Sequence, residues 1–534
     1  MHTVRRVFRV NGEPFFPLGG QVHNSSGYNL SELQQAFKAL EVLGGNAIEV
    51  PIYWSQIEPE EGRFDFAVLD ELLEGCRSRG LRLIPLWFGT WKNGQMEYTP
   101  NWVKTAPDRF RRVVAPAGFT IPVLSSQCEE SRRADERAFS ALMQAIRERD
   151  AEEQTIIAVQ VENEPGILGC DRDYSAESTA TFHSAVPSEL IALVAAHPDT
   201  PVHTAWKEAG AREGGNWPET FGWRAGEFMT AWQIARYIDS LAAAGKAIHN
   251  VPMTINVWLG EGGHRLAGDY PSGGAVTRVL DLFKWLTPHI DIIAPDIYSA
   301  ATESYLFECR HYAREDNPFF VPESGSRGPN ARTMFYALGT FDAIGYFCFG
   351  VESMLDEEGM LRPESREVAE SFRVAREAIP LLLKYQGTGR IHTVVQEEHA
   401  MGQYLEVGDY LAFVRYADSD MPYPRGYLYP RRGGPEGFDR ARGLIIQTGE
   451  REFYLAGGPF RVTFKRKPAP DAELTPSMAA SLMNEDLPDF CLVEEGGFDA
   501  QGDWKARHWR NGDEITGGLW VDVRSGLVRA QLTA

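Results

Sequence analysis

With 534 residues the chain is two to four times a typical domain, and 43 % hydrophobic and 24 % charged residues give it the composition of a globular protein. No apolar run approaches the ~18 residues of a membrane span, and a formal net charge of −21 argues against nucleic acid or an acidic membrane surface as a partner. A neutral substrate is easier to accommodate. In chain order, Asn11-Gly12 marks a two-residue hairpin turn in "FRVNGEPFF". Eight apolar segments follow, at 16–21, 46–54, 81–89, 155–164, 251–258, 290–298, 318–323 and 343–350. Amphipathic stretches such as "LSELQQAFKALEVLG", "FAVLDELLEGCRSRG" and "FMTAWQIARYIDSLAAAG" separate them, several ending in the glycine expected of a helix C-cap.

Strand-helix alternation repeated about eight times predicts an α/β fold, a (β/α)8 TIM barrel with insertions. A doubly wound sheet is the rival, weakened because no glycine-rich phosphate loop follows the first strand. Residues 170–215 fit no simple repeat and are expected to form an excursion over the carboxyl end of strand four. From residue 389 the pattern changes to short alternating segments such as "QYLEVGDYLAFVRYA", punctuated by Gly and Asp. The expected domains are thus a barrel with its hairpin over 1–388 and a smaller antiparallel β-sandwich over 389–534. A structural or dimer-forming role is the plainer reading of the sandwich, a carbohydrate-binding module the other.

The stretch "IIAVQVENEPGILG", 156–169, brings Glu162 and Glu164 to the end of an apolar strand. Catalytic groups of such barrels gather at the carboxyl ends of strands, and buried carboxylates without a role are costly. Period-two alternation puts Gln160, Glu162 and Glu164 on one face. Glu323 ends strand seven in "FFVPESGSRG". Retaining glycoside hydrolysis requires such a pair ~5–5.5 Å apart, one acid with a raised pKa and one ionised nucleophile. Trp91 after strand three, Trp258 after strand five and Tyr298 ending strand six are placed to line the cavity, each with the alternative of a core position. Asn93 is a hydroxyl ligand or a turn residue beside Gly94. The twelve histidines show no HExxH pattern, so neither metal nor cofactor is expected.

Six cysteines are scattered singly, without zinc or disulfide spacing, and the amino terminus shows no apolar leader region. A cytoplasmic setting is the expectation. A homodimer stays open.

"GGNAIEVPIYWSQIEPEEGRFDF" and "AVQVENEPG" resemble the β-galactosidases of glycoside hydrolase family 35 and their relatives in family 42. "NWPETFG", "ARYIDSLAAAGKA" and "DYPSGG" are similar to a bacterial branch of family 35 with a carboxyl-terminal β-domain. The resemblance implies Glu164 as acid/base, Glu323 as nucleophile, Asn163 as ligand of the sugar 2-hydroxyl, and Tyr298 against the nucleophile. Glu49 falls where the family has a strand-two glutamate, although Pro51 stands where its motif has a tyrosine. Strand eight, "YFCFGVES", lacks a tryptophan common in the clan. The implied activity is a retaining exo-hydrolase acting on β-galactoside oligosaccharides. A β-glucosidase or transglycosidase of the same mechanism, and a catalytically silent carbohydrate-binding barrel, are the alternatives.

Overall fold

The computed structural model describes residues 6–260, 265–398, 400–416, 440–467, 488–499, 501–515 and 518–533. A parallel sheet runs in spatial order through Leu18–Gln21, Ala47–Tyr53, Arg82–Lys92, Val159–Asn163, Met253–Val257 and Ile292–Pro295, and Tyr346–Phe349 pairs back onto the first of these. The gap between the sixth and last strands is filled by residues 319–324. Parallel bridges Ile297↔Ser324 and Val321↔Tyr346 connect that segment to both neighbours, with bonds from the Ile297 amide to the Glu323 carbonyl at 2.9 Å and from the Phe347 amide to the Val321 carbonyl at 2.9 Å. Eight staves therefore close a (β/α)8 barrel, each at an apolar segment singled out in the sequence.

Inside, Ala47, Ile84, Leu86, Phe88, Ile157, Ile292, Phe320 and Phe347 form one cluster. Phe8 of the opening hairpin, Phe8–Val10 with Glu13–Phe15, joins it edge-on to Phe320 at 5.4 Å. The helical layer outside is anchored by Glu129–Asp150 packed on Ala225–Ile248. Helix Gln34–Leu43 ends at Gly44 with φ 69°, the left-handed cap that glycine adopts without steric penalty. The excursion after strand four is helical, with Ala176–Phe182, Ser188–Ala196 and Pro201–Glu208 preceding a short helix, Trp217–Phe221, closed by an Asn216–Glu219 capping box.

From Ile391 the chain forms two antiparallel sheets. The six-stranded one runs Ile391–Val395, Arg442–Gln447, Glu452–Gly458, Leu527–Leu532, Phe490–Phe498, Trp504–Trp509 in space; the four-stranded one runs Gly402–Val407, Tyr410–Tyr416, Phe460–Arg466, Leu519–Val521. Ile445, Phe453, Leu455 and Val528 of the larger sheet meet Ala412, Val414, Val462 and Val521 of the smaller in a sandwich core. The alternate residues Leu444, Ile446, Tyr454 and Leu527 belong to the barrel's outer core instead. Strands Arg442–Gln447 and Glu452–Gly458 of the larger sheet are thus buried on both faces, while its edge strand Trp504–Trp509 is largely exposed. Residues 417–439 and 468–487 of the expected sandwich lie outside the described residues. Among the described residues no helix is long and apolar enough to cross a membrane.

Candidate active site

Polar side chains converge where the barrel strands end at the carboxyl face. Glu323 of stave seven accepts from Gln21 Nε2 at 2.7 Å and from the Tyr298 hydroxyl at 2.5 Å. Asn256, in strand five, is the hub of the cluster: its Nδ2 lies 2.9 Å from Asp296 Oδ2, 3.2 Å from Asn163 Oδ1 and 3.4 Å from Glu323 Oε1, while its Oδ1 accepts from the Glu164 amide at 2.8 Å. Asn93 Nδ2 donates to Glu164 Oε2 at 2.5 Å, and Lys92 Nζ donates to Asn93 Oδ1. Glu164, Asp296 and Glu323 each offer a carboxylate oxygen within 4.8 Å of the other two, and all three are buried.

The two acids of "VENE" part company. Glu162 and Glu164 both have left-handed backbones, φ 62° and 44°, which breaks the alternation expected of a strand. The Glu162 carboxylate turns to the helical layer, accepting from the Thr90 amide at 3.2 Å and the Trp91 amide at 2.7 Å. Its buried neighbour Asp135 takes the Trp87 indole N–H at 2.8 Å and the Tyr237 hydroxyl at 3.0 Å. Gly89 makes room there, since a Cβ would sit 2.8 Å from Glu162 Oε1 and 2.3 Å from Trp87 Nε1. The expectation that Glu162 and Glu164 share a face is therefore corrected: only Glu164 reaches the mouth.

Burial, reinforced by the charge of Glu323, pushes the Glu164 carboxyl up to about 7. Asp296 is raised well above the usual range by burial and then by Glu323 and Glu164, and Glu49 by burial and then by Glu323. The oxygens of Glu164, Asp296 and Glu323 could hold a hard cation. Four donors, from Gln21, Tyr298, Asn256 and Asn93, already point at them, an arrangement that suits carboxylates working without one. Among the described residues, Gln21 Oε1, Glu49 Oε2, Asn163 Nδ2 and Asp296 Oδ1 are buried without a hydrogen-bond partner. Buried polar atoms are rarely left so. Acceptors and a donor held open together suit the hydroxyls of a neutral sugar.

Of the aromatic candidates, Tyr298 is 44 % exposed and bonds Glu323, and Trp258 is half-buried just past strand five. Trp91 requires correction. Strand three runs to Lys92, beyond the Gly89 at which the sequence reading ended it, so Trp91 points outward, fully buried and edge-on to Tyr237 at 4.7 Å. Sequence reasoning missed Gln21, Lys92, Asn256 and Asp296. The signal was present in each case, a polar residue at or next to the end of an apolar strand.

Fold and site together define a (β/α)8 barrel with a buried carboxylate cluster at its catalytic face. Residues 27–191, under a third of the chain, match the model of glycoside hydrolase family 42, described as β-galactosidase, and residues 368–522 match a domain of unknown function, DUF5597. The match to family 42 corrects the expectation of family 35. A β-galactosidase of Xanthomonas manihotis is 26 % identical over 190 residues, 33 % of this chain and 28 % of that protein; the chain thus aligns with under a third of the length of that relative. Among solved structures, a β-galactosidase from the psychrophilic Marinomonas ef1 is similar at 12 % identity and TM-score 0.48, covering 69 % of this chain and 62 % of its own. A family 42 β-galactosidase from G. stearothermophilus gives 15 %, 0.48, 71 % and 58 %, and the catalytic domain of a Paenibacillus polymyxa β-amylase 13 %, 0.48, 67 % and 97 %. These likenesses are weak, and the fold stands on the strand order given above.

Proposed function

We propose that the chain is a retaining exo-glycoside hydrolase that removes terminal β-linked galactose from oligosaccharides. The observation that carries the reading is the approach of Glu164 and Glu323, each with an oxygen within 4.8 Å of the other's. Such closeness suits the ~5–5.5 Å spacing of retaining enzymes rather than the ~6.5–9.5 Å that leaves room for a water in inverting ones. Glu164, with its carboxyl near 7, holds a proton for the leaving oxygen at neutral pH. Glu323, oriented by Gln21 and Tyr298, attacks the anomeric carbon from the opposite face. The glycosyl ester formed is then hydrolysed by water that gives its proton back to Glu164. Asn163, with its free Nδ2, serves the 2-hydroxyl.

The choice of galactose rests on the resemblance and on the description of the matching model. A site built to hydrogen-bond one epimeric hydroxyl rejects the other epimer because its buried partners go unpaired. All six cysteines are free thiols, which supports a reducing, cytoplasmic setting, and the mechanism requires no cofactor. A panel of nitrophenyl β-glycosides, followed by proton NMR before mutarotation, tests the reading. Galactoside turnover should clearly exceed glucoside turnover, with the β-anomer released first. Early α-anomer would overturn retention, and comparable kcat/KM values would overturn the sugar.

A further inference from the structure

Lys92 is a buried cation at the barrel mouth, and the mechanism above gives it no task. It is the last residue of strand three and only 4 % exposed. The residues after it make a tight turn: Asn93 and Gly94 both have left-handed backbones, φ 53° and 66°, between the paired Lys92 and Gln95. That turn is tied to the strand that carries the acids. The Asn93 amide donates to the Asn163 carbonyl at 3.2 Å, and the Gly94 amide to the Glu164 carbonyl at 3.0 Å. The main chain thus fixes Asn93 in relation to Glu164.

The side chains extend the connection. An ammonium has only donors, so the Asn93 atom that meets Lys92 Nζ is its oxygen, and the other end of the amide, an N–H, is turned to Glu164. Glu164 Oε2 accepts that bond at 2.5 Å, which makes Oε2 the carbonyl oxygen of the protonated acid and leaves the proton for Oε1. Without the ammonium the amide is free to present its oxygen instead, which would draw the proton to Oε2. The charge of Lys92 bears on Glu164 as well. The charged and titratable groups around that carboxyl are Glu323, Asp296, Tyr298 and Lys92. Burial and then Glu323 raise it, and Lys92 is the cation that opposes them among the described residues.

We propose that Lys92 is the positioning residue of the proton donor, acting through Asn93 to keep the Glu164 proton on Oε1 and stabilising the carboxylate that proton transfer leaves. The inference rests on the glycosidase reading. It is tested by kcat/KM, which reports the first step, followed against pH in the parent, Lys92→Met and Asn93→Gly. The substrates are galactobiose and 2,4-dinitrophenyl β-galactoside, or cellobiose and the glucoside if glucose is the preferred sugar. Removing the charge leaves Glu164 a weaker acid, so the alkaline limb for the disaccharide should move up from about 7 by about one unit in Lys92→Met. Below the limb the disaccharide should lose at least about tenfold, and the dinitrophenyl glycoside, whose leaving group hardly needs a proton, no more than about threefold. Asn93→Gly suits the left-handed backbone and cuts the link without removing the charge. It should show the same split between substrates with a smaller shift of the limb. The position of a limb does not depend on how much of the chain is folded, so a poorly folding variant still answers. An unmoved limb in Lys92→Met, an equal fall for both substrates, or an Asn93→Gly chain that matches the parent on the disaccharide would overturn the assignment. Failure of the glycosidase reading shows separately, as an absence of nitrophenyl glycoside hydrolysis by the unaltered chain.

Discussion

Glu164 and Glu323 are both buried carboxyls, and the proposed mechanism gives them different work. A donor must be protonated, so kcat/KM for natural disaccharides should fall as pH rises through about 7, where burial and Glu323 have moved Glu164. Glu164→Ala should lower disaccharide hydrolysis by roughly 10² to 10⁴ and flatten that alkaline limb. Activated aryl glycosides, which hardly need a proton, should suffer less in their first step. Added azide should then yield a β-glycosyl azide from the Glu164→Ala chain and an α-azide from Glu323→Ala. Were Glu162→Ala to show the acid/base signature instead, the assignment within "VENE" would be wrong; its contacts to the Thr90 and Trp91 amides speak for a supporting role.

At the scale of elements, the staves were readable because each is a short, largely apolar run set between turn signals and amphipathic stretches, most of them rich in β-branched and aromatic residues. Glu164 and Glu323 were readable for a related reason, being charges that terminate such runs. Glu162 was misread because alternation cannot register a left-handed residue inside a strand. Trp91 was misread because strand three continues past a glycine. Asn256 and Asp296 went unnoticed because a single amide or acid after an apolar run is common, and only the closed barrel brings them beside Glu323. Helix Arg366–Tyr385 carries information that sequence pattern could not give. Wholly buried Arg442, from strand Arg442–Gln447, donates to Ser371 Oγ at 2.8 Å, to the Glu367 carbonyl at 3.3 Å and to Glu370 Oε2 at 3.1 Å. Arg442→Ala would remove these three bonds, the buried ion pair with Glu370 among them, a loss of about 3–5 kcal/mol. Calorimetry should show a lowered Tm and, if this bracket joins helix to sheet, a broadened or split transition. An unchanged melting profile would deny it that role.

Across the whole molecule, the apolar core runs without a break from the barrel's helical layer into one face of the six-stranded sheet. The matching DUF5597 segment, which starts at residue 368 inside the helix that holds Arg442, is consistent with helix and sandwich forming one unit. The carboxylate cluster at the barrel mouth also reaches beyond its chemistry. Glu49, Glu162 and Asp296 are displaced upward by burial as Glu164 is, so the folded chain binds protons that the unfolded chain would release. Folding is thereby coupled to proton uptake. For Glu164 the window runs from its ordinary 4.5 to about 7: below it both states are protonated and nothing is lost, and above it the folded state bears the full disadvantage, of order 3 kcal/mol for this one group. Glu164→Gln, which cannot ionise, should accordingly melt close to the parent at pH 4.5 and well above it at pH 8. Equal differences at both values would refute the linkage. The burial that keeps a proton on this cluster thus makes the barrel mouth the part of the fold whose contribution to stability fades as the medium passes from mild acid to mild base.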